Sequence, residues 1–437
     1  SDSTLLNGET ATVSLVFSEK VTGFNSDDDI TVANGSLSLM TTSDDGTTWT
    51  GTFTPTADIE DTTNIFTLAT TFTDVAGNPI STQTVTNNYV VDTLKPTITA
   101  VTSSTTDDSY KEGETIVIQV LFSETVNVAG GTPQLTLDVG GTDYTIDYVS
   151  GSGTNTLVFN YVIQAGHDDD VLDYKATDSL SLNGSTIKDN YGNDAILTLA
   201  TPGATNSLGL NKTLVVDTTK PTIDSSALSS DNARITVVFD EDVFNTDSGS
   251  GDLDVNDFYL SISGGQALLS NSSSNVRPTT VTKTSPTTYL LAISVTGIAD
   301  GSEIITVEPD ANSIYDKAGN IASTTQSNNT VTLNDAKLPT LSTVTIATSN
   351  TFTTGANLGK EGDVITLTIV SNEDVTTPTV TFTSDGSDVK NAASVSGSSP
   401  GKNYQATYTV HADDTDGAVG FSISDFTDGN NNTGNPV

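Results

Sequence analysis

The chain has 437 residues, of which 55 are acidic and 15 basic, giving a formal charge of −40 at neutral pH. That sign excludes nucleic acid and anionic lipid as expected partners, because the electrostatic terms that drive such binding need positive protein charge. Cysteine is absent, which removes a disulfide framework, a thiolate metal site and a cysteine nucleophile together, and no window approaches the roughly 18 consecutive apolar residues of a membrane-spanning helix.

Alternation of apolar and polar residues begins at Thr12–Phe17 and returns at Ile116–Phe122, Thr156–Val162, Ala233–Phe239 and Val364–Val370. Gly, Asn, Asp and Ser clusters break these runs at intervals of about 8–12 residues, a pattern that predicts antiparallel sandwiches; no helical period competes with it. The first linker, Val-Val-Asp-Thr-Leu-Lys-Pro-Thr-Ile at Val90–Ile98, recurs almost letter for letter at Val215–Ile223 and more loosely at Leu333–Leu341. Punctuation at a nearly fixed interval means a tandem array. Four domains are expected, over residues 1–93, 94–218, 219–336 and 337–437. Pro96, Pro221 and Pro339 lack an amide donor and fix φ, which suits an edge strand and stiffens each linker. Domain one opens at the equivalent of Asp107 and domain four stops just past its Asp-Gly-Asn loop, so each is expected to lack one outer strand. A fragment of a longer array explains this, and so does a polymer in which a neighbour donates a strand to a sheet edge.

Acids recur in one frame. After the second strand come Phe17-Ser-Glu19, Phe122-Ser-Glu124, Phe239-Asp-Glu241 and Ser371-Asn-Glu373. Before the last strand come the loops Asp74–Asn78, Asp189–Asn193, Asp316–Asn320 and Asp428–Asn432, and the linkers carry Asp92, Asp217 and Asp335. In a seven-strand sandwich all three features fall at the N-terminal pole, where linker and domain meet. Carboxylates so close repel strongly unless a cation lies between them. Oxygen ligands of this type are those Ca²⁺ takes in sets of about six to eight. The expected ligands are Asp92, Glu124, Asp189 and Asn193 at the first joint, then Asp217, Glu241, Asp316 and Asn320, then Asp335, Glu373 and Asp428, with Glu19, Asp74 and Asn78 in domain one. Acids at the opposite pole (Asp58 and Asp61, Asp168 to Asp170, Asp300, and Asp413, Asp414 and Asp416) are placed to reach the next joint from the other side. The competing reading is that many of these are ordinary turn residues.

Nothing points to catalysis. His167 and His411 are the only histidines and fall in different domains, with no serine elbow to partner either. Trp49 stands alone, which leaves little surface for stacking a sugar, and no phosphate-cradling loop precedes a helix.

Domain two, from Tyr110-Lys-Glu-Gly-Glu-Thr through Phe-Ser-Glu-Thr-Val, Gly131–Leu137, Tyr148–Thr154 and Leu180–Gly184 to Val-Val-Asp-Thr-Thr-Lys-Pro, resembles the bacterial Ig-like repeats of giant surface adhesins of the RTX or biofilm-associated type. Domain one, with Val21-Thr-Gly-Phe and Trp49–Pro55, looks like a second subtype, and Gly417–Ser424 marks a familiar variant in domain four. The resemblance implies an all-β tandem array of four Ig-like sandwiches, non-enzymatic and extracellular at the cell surface, acting as a stalk that Ca²⁺ rigidifies. Its partners would be further repeats of the same protein or neighbouring subunits, without membrane insertion. A subunit of a surface layer, sheath or filament is the alternative use of the same beads. Domain three departs with Phe-Asp-Glu, and the third linker's Asn-Asp-Ala shifts the frame of Asp335. Domain four departs further, with Ser-Asn-Glu and an Asn-rich loop, so its site is expected to be the weakest.

Overall fold

The computed structural model describes residues 3–270, 276–351 and 358–437, and its elements are almost all strands. Two compact units divide the chain: one takes residues up to Thr219 together with Ala318–Asn320, the other Lys220–Lys317 and the residues from Ile321 onward.

In the first unit, strand Thr115–Gly130 shows how alternation becomes a core. Ile116, Ile118, Val120 and Phe122 are each at most 2% exposed, while the residues between them are half-buried. Burying each such side chain stabilises the fold by about 1.5–3 kcal/mol. The strand pairs antiparallel with Ile98–Ser103 and Thr154–Val162, loses register between Leu121 and Val126, and continues against Ser185–Lys188. It thereby crosses from one sheet to the other. Glu124 was expected after the strand's end; it lies instead within the irregularity, where a bulge re-aims a side chain. The core belonging to this sandwich spans residues 98–216.

The sandwich before it is thinner. Strands Ala11–Val16, Thr48–Pro55 and Gly35–Leu37 form one sheet, and Thr4–Leu6, Tyr89–Asp92 and Glu60–Asn64 another. Its apolar side chains gather in two clusters, around Phe24 and Phe72 and around Phe53 and Tyr89. Thr4–Leu6 runs parallel to Tyr89–Asp92, as Asp108–Tyr110 runs parallel to Leu214–Val216.

The second unit repeats the plan twice. Arg234–Phe239 pairs with Ile223–Leu228 and Thr288–Ala292, over a core spanning residues 223–333. Val364–Val375 pairs with Leu341–Thr348 and Gly401–Thr409 and loses register between Val370 and Val375, so Glu373 also sits in an irregularity. Its core spans residues 341–426.

Periodicity gave no helix, yet Ser26–Asp29 and Leu208–Asn211 each form one turn. A single turn has no apolar period to detect, and the cap creates it: the Asn25 side chain accepts from the Asp27 N–H, and Ser207 from the Leu210 N–H. No helix among the described residues is long and apolar enough to cross a membrane.

Candidate functional site

At the first joint, Asp189 opens a tight turn and organises it. Its Oδ1 accepts from the backbone N–H of Tyr191 (2.8 Å), Gly192 and Asn193 (2.9 Å), and its Oδ2 accepts from Asn193 Nδ2 (2.7 Å). Gly192 adopts φ 118° to close the turn, a conformation costly for any residue with a Cβ. Asn193 then reaches beyond its own sandwich: its Nδ2 also donates to the Asp92 carbonyl (3.1 Å), and its Oδ1 accepts from the Asn7 N–H (3.2 Å).

Asp92 ends the last strand of the first sandwich and is 1% exposed. Its Oδ1 accepts from the Leu94 N–H (3.2 Å), but its Oδ2 is buried with no hydrogen-bond partner, and Glu124 Oε1 is in the same condition. Burial pushes the Asp92 carboxyl up to about 6, with the charges of Asp189 and Glu60 adding to it. Burial likewise raises Glu124 to about 7, reinforced by Asp189, Asp92 and Glu60. A buried polar atom left unpaired costs about 1–3 kcal/mol, and more when charged. Two orphan oxygens from two different sandwiches, both in a negative field, are the donor set a hard cation fits.

In the second unit, Asp335, Glu373 and Asp428 each bring a carboxylate oxygen to within 4.8 Å of the others. The three oxygens at Asp92, Glu124 and Asp189 do not all close to that distance. The Asn-rich loop, expected to be the weakest, folds on the same plan. Asp428 Oδ1 accepts from the N–H of Asn430 and Asn432 (2.8 Å each), Oδ2 accepts from Asn432 Nδ2 (2.7 Å), and Asn432 Nδ2 also donates to the Asp335 carbonyl (3.1 Å). Asn431 stands where the other loops have Gly, at φ 67°. Asn tolerates that left-handed region better than other residues with a side chain. Burial raises the Glu373 carboxyl; the Asn372 side chain opposes this, Asp335 and Asp428 add to it, and Lys337 again opposes.

The remaining expected ligands are placed as follows. Asp217, half-buried, accepts from the Thr219 N–H (3.0 Å) while its own N–H donates to Tyr110 (2.9 Å). Asn320, which groups with the first unit, donates from Nδ2 to the Asp217 carbonyl (2.9 Å). Within the second unit, Glu241 and the fully buried Asp316 have carboxylate oxygens within 4.8 Å of each other. Asp74 takes the N–H and Nδ2 of Asn78 (2.8 and 2.7 Å), and these bonds hold its carboxyl below the usual range. Glu19 is exposed, and among the described residues neither it nor Asp74 joins a three-carboxylate group.

The opposite-pole acids are mostly engaged in hydrogen bonds, some within their own turns and some to distant segments, Asp168 to the second linker among them. Asp61 accepts from Asn34 Nδ2 (2.7 Å) and the Thr63 N–H (2.8 Å), Asp168 from the Thr218 N–H (2.6 Å), and Asp414 from the N–H groups of Lys390 and His411 (2.8 Å each). Asp300 accepts from the Ser302 N–H (3.1 Å). The acid that does act on the first joint is Glu60, which strand pairing sets directly across from Asp92. Sequence reading named its neighbours Asp58 and Asp61 instead. The strand alternation that separates Glu60 from Asp61 was the available signal. Asn432 was missed as a bridging residue for want of Gly at the position before it.

Residues 1–91 match the family of bacterial Ig-like domains. The chain is similar in structure to a three-domain titin fragment (12% identity, covering 73% of this chain and 94% of that one, TM-score 0.26). It is also similar to the ectodomain of mouse nectin-like molecule 4 (8%, 71% and 93%, TM-score 0.24). A third likeness is to a putative membrane-anchored protein of Corynebacterium diphtheriae (10%, 79% and 88%, TM-score 0.19). No curated protein matches the sequence. The fold is all-β, a tandem array of Ig-like sandwiches.

Proposed function

We propose that this chain is a non-enzymatic spacer segment of a bacterial surface protein, and that Ca²⁺ held by the joint carboxylates sets the stiffness of its linkers. The observation that carries the reading is the pair of buried oxygens without partners, Asp92 Oδ2 and Glu124 Oε1. The charges raising both groups are all negative, so at neutral pH the site is relieved by a cation or by protons. Asp92, Glu124 and Asp189 would hold the ion at the first joint, with Glu60 adding charge, and Asp335, Glu373 and Asp428 at the third. When bound, the ion supplies a shared positive centre. The protein supplies the hinge: Asp92 closes one sandwich while Glu124 and Asp189 belong to the next, so their repulsion opens the linker and its relief closes it. The charge of −40 and the bacterial Ig-like match support an extracellular setting, where modules of this kind bind Ca²⁺ at about 10⁻⁴–10⁻³ M.

The cysteine-free chain accepts site-specific spin labels directly. With Ser36→Cys and Thr186→Cys, one in each sandwich of the first unit, millimolar Ca²⁺ is expected to narrow the label-to-label distance distribution and chelator to broaden it. A calorimetric titration of the same protein should show saturable heat. An unchanged distribution together with no heat would remove the proposal.

A further inference from the structure

The linker acid is followed by Thr93 at the first joint and by Thr218 at the second, but by Ala336 at the third. Thr93 is 1% exposed, and each of its polar atoms is engaged. Its N–H donates to the Ile59 carbonyl (2.8 Å), and its Oγ1 donates to the Thr56 carbonyl (2.7 Å) while accepting from the Ile59 N–H (3.0 Å). Its own carbonyl accepts from Asn7 Nδ2 (3.3 Å). One buried hydroxyl thus clasps the linker to the turn before Glu60, directly beside Asp92, whose Oδ2 is buried without a partner. Thr218 makes the same kind of clasp. Its Oγ1 accepts from the Gly166 N–H (3.0 Å), and its N–H donates to Asp168 Oδ1 (2.6 Å).

Ala336 has no hydroxyl, yet its N–H donates to the Ala299 carbonyl (2.9 Å) as that of Thr93 donates to Ile59. Here a carboxylate makes the clasp. Glu303 is fully buried, with Oε1 accepting from the N–H groups of Gln266 (2.9 Å) and Ala267 (3.0 Å) and Oε2 from the Asp300 N–H (3.1 Å). Its carbonyl accepts from the Leu333 N–H (2.9 Å). The turn 299–303 is thereby closed on itself, pinned at Gln266 and bonded to the linker on either side of Asp335. It passes so near that a Cβ on Gly301 would stand 3.3 Å from the Asp335 Cβ. N–H groups occupy the Glu303 oxygens, which makes Glu303 a support for Asp335 and not a ligand beside it.

We propose that the Thr93 hydroxyl and the Glu303 carboxylate are positioning groups for the first and third ion sites. Each fixes the backbone on which the linker acid, Asp92 or Asp335, is presented. The inference rests on the calcium reading above and adds which residues outside the ligand set tune each joint. Holding the acid's backbone in place before the ion arrives lowers the ordering cost of binding, so losing the clasp weakens the site without touching a ligand.

Two labelled forms of the full chain read the joints separately. Ser36→Cys with Thr186→Cys spans the first joint and Thr282→Cys with Thr345→Cys the third, all at exposed positions. For each form, the calcium concentration that half-narrows the label-to-label distance distribution is measured where urea unfolding shows the variant fully folded. Thr93→Val, close in shape but lacking the hydroxyl, is expected to raise the first-joint midpoint about tenfold and leave the third unchanged. Thr93→Ser should return it to within about twofold. In chelator, Thr93→Val should broaden the first-joint distribution further. Glu303→Gln should raise the third-joint midpoint and spare the first; if that variant does not fold, the Thr93 series decides alone. A merely structural loss of stability moves neither midpoint while the protein stays folded. Narrowing in the parent protein with an unchanged midpoint in Thr93→Val, or equal shifts at both joints, would overturn this assignment and leave the calcium reading standing. No narrowing in the parent at either joint would overturn both.

Discussion

The joints at Asp92 and at Asp335 use the same residue types yet neutralise them differently. At Asp92 two buried oxygens lack partners, and the only charges raising Asp92 and Glu124 are other carboxylates. At Asp335 the three carboxylates approach more closely, but the Lys337 N–H bonds Asp335 (2.8 Å), Asn372 Nδ2 bonds Glu373 (3.1 Å), and the Lys337 charge opposes the shift of Glu373. Proximity of carboxylates and lack of hydrogen-bond partners thus single out different joints. We follow the unsatisfied oxygen, because it is the atom whose desolvation no hydrogen bond in the protein offsets.

The largest expected effect comes from removing the residue that builds each loop. Asp189→Ala deletes the acceptor of several backbone N–H bonds and a proposed ligand at once, and should destabilise the second sandwich by about 2–4 kcal/mol in urea unfolding. Asp428→Ala should do the same to the fourth. A cost below a few tenths of a kcal/mol would show that the loops hold without their acids.

A smaller effect separates the two joints. In chelator at pH 7.5, Glu124→Gln should raise stability by about 1 kcal/mol by removing a buried unpaired charge, while Glu373→Gln should raise it less. Equal gains in thermal melts would erase the distinction. In calcium both gains should shrink or turn into losses, because each variant also removes a proposed ligand.

The pH dependence sharpens the same contrast. The folded carboxyls of Asp92 and Glu124 stand at about 6 and about 7, above their ordinary values of 3.8 and 4.5. The folded state therefore holds more protons than the unfolded state between pH 4 and 7, and in chelator stability should fall as pH rises through that window. Millimolar calcium should flatten or invert the trend, since its ligands bind deprotonated. Denaturant midpoints at pH 5 and 7.5, with and without chelator, decide it. A chelated protein that gains stability over this range would contradict the assignment.

The smallest expected effect is at Asn431. With φ at 67°, Asn431→Gly should change stability by no more than about 0.5 kcal/mol, whereas Asn431→Val should cost about 1–2 kcal/mol, since a β-branched residue resists the left-handed region. Both are read from denaturant midpoints.

Alternation made the strands legible, and the recurring frame located Asp92, Glu124 and Asp189, because both depend on local pattern and repeat length. Three things escaped it. The bulges that carry Glu124 and Glu373 follow from a strand changing sheets, which no local period records. Glu60 was hidden between two acids of the same type until pairing with Asp92 fixed its face. The Asn431 turn substitutes one left-handed residue for another, so a motif written around Gly ranked this loop weakest and left out Asn432, although the loop makes the same hydrogen bonds.

The most direct test is a crystal structure grown in millimolar calcium, with the ion identified by its anomalous signal. The account expects one ion between the first two sandwiches, with Asp92 Oδ2 and Glu124 Oε1 both at about 2.3–2.6 Å from it. Those two oxygens hydrogen-bonded to water or to each other, with no ion between them under that condition, would contradict it.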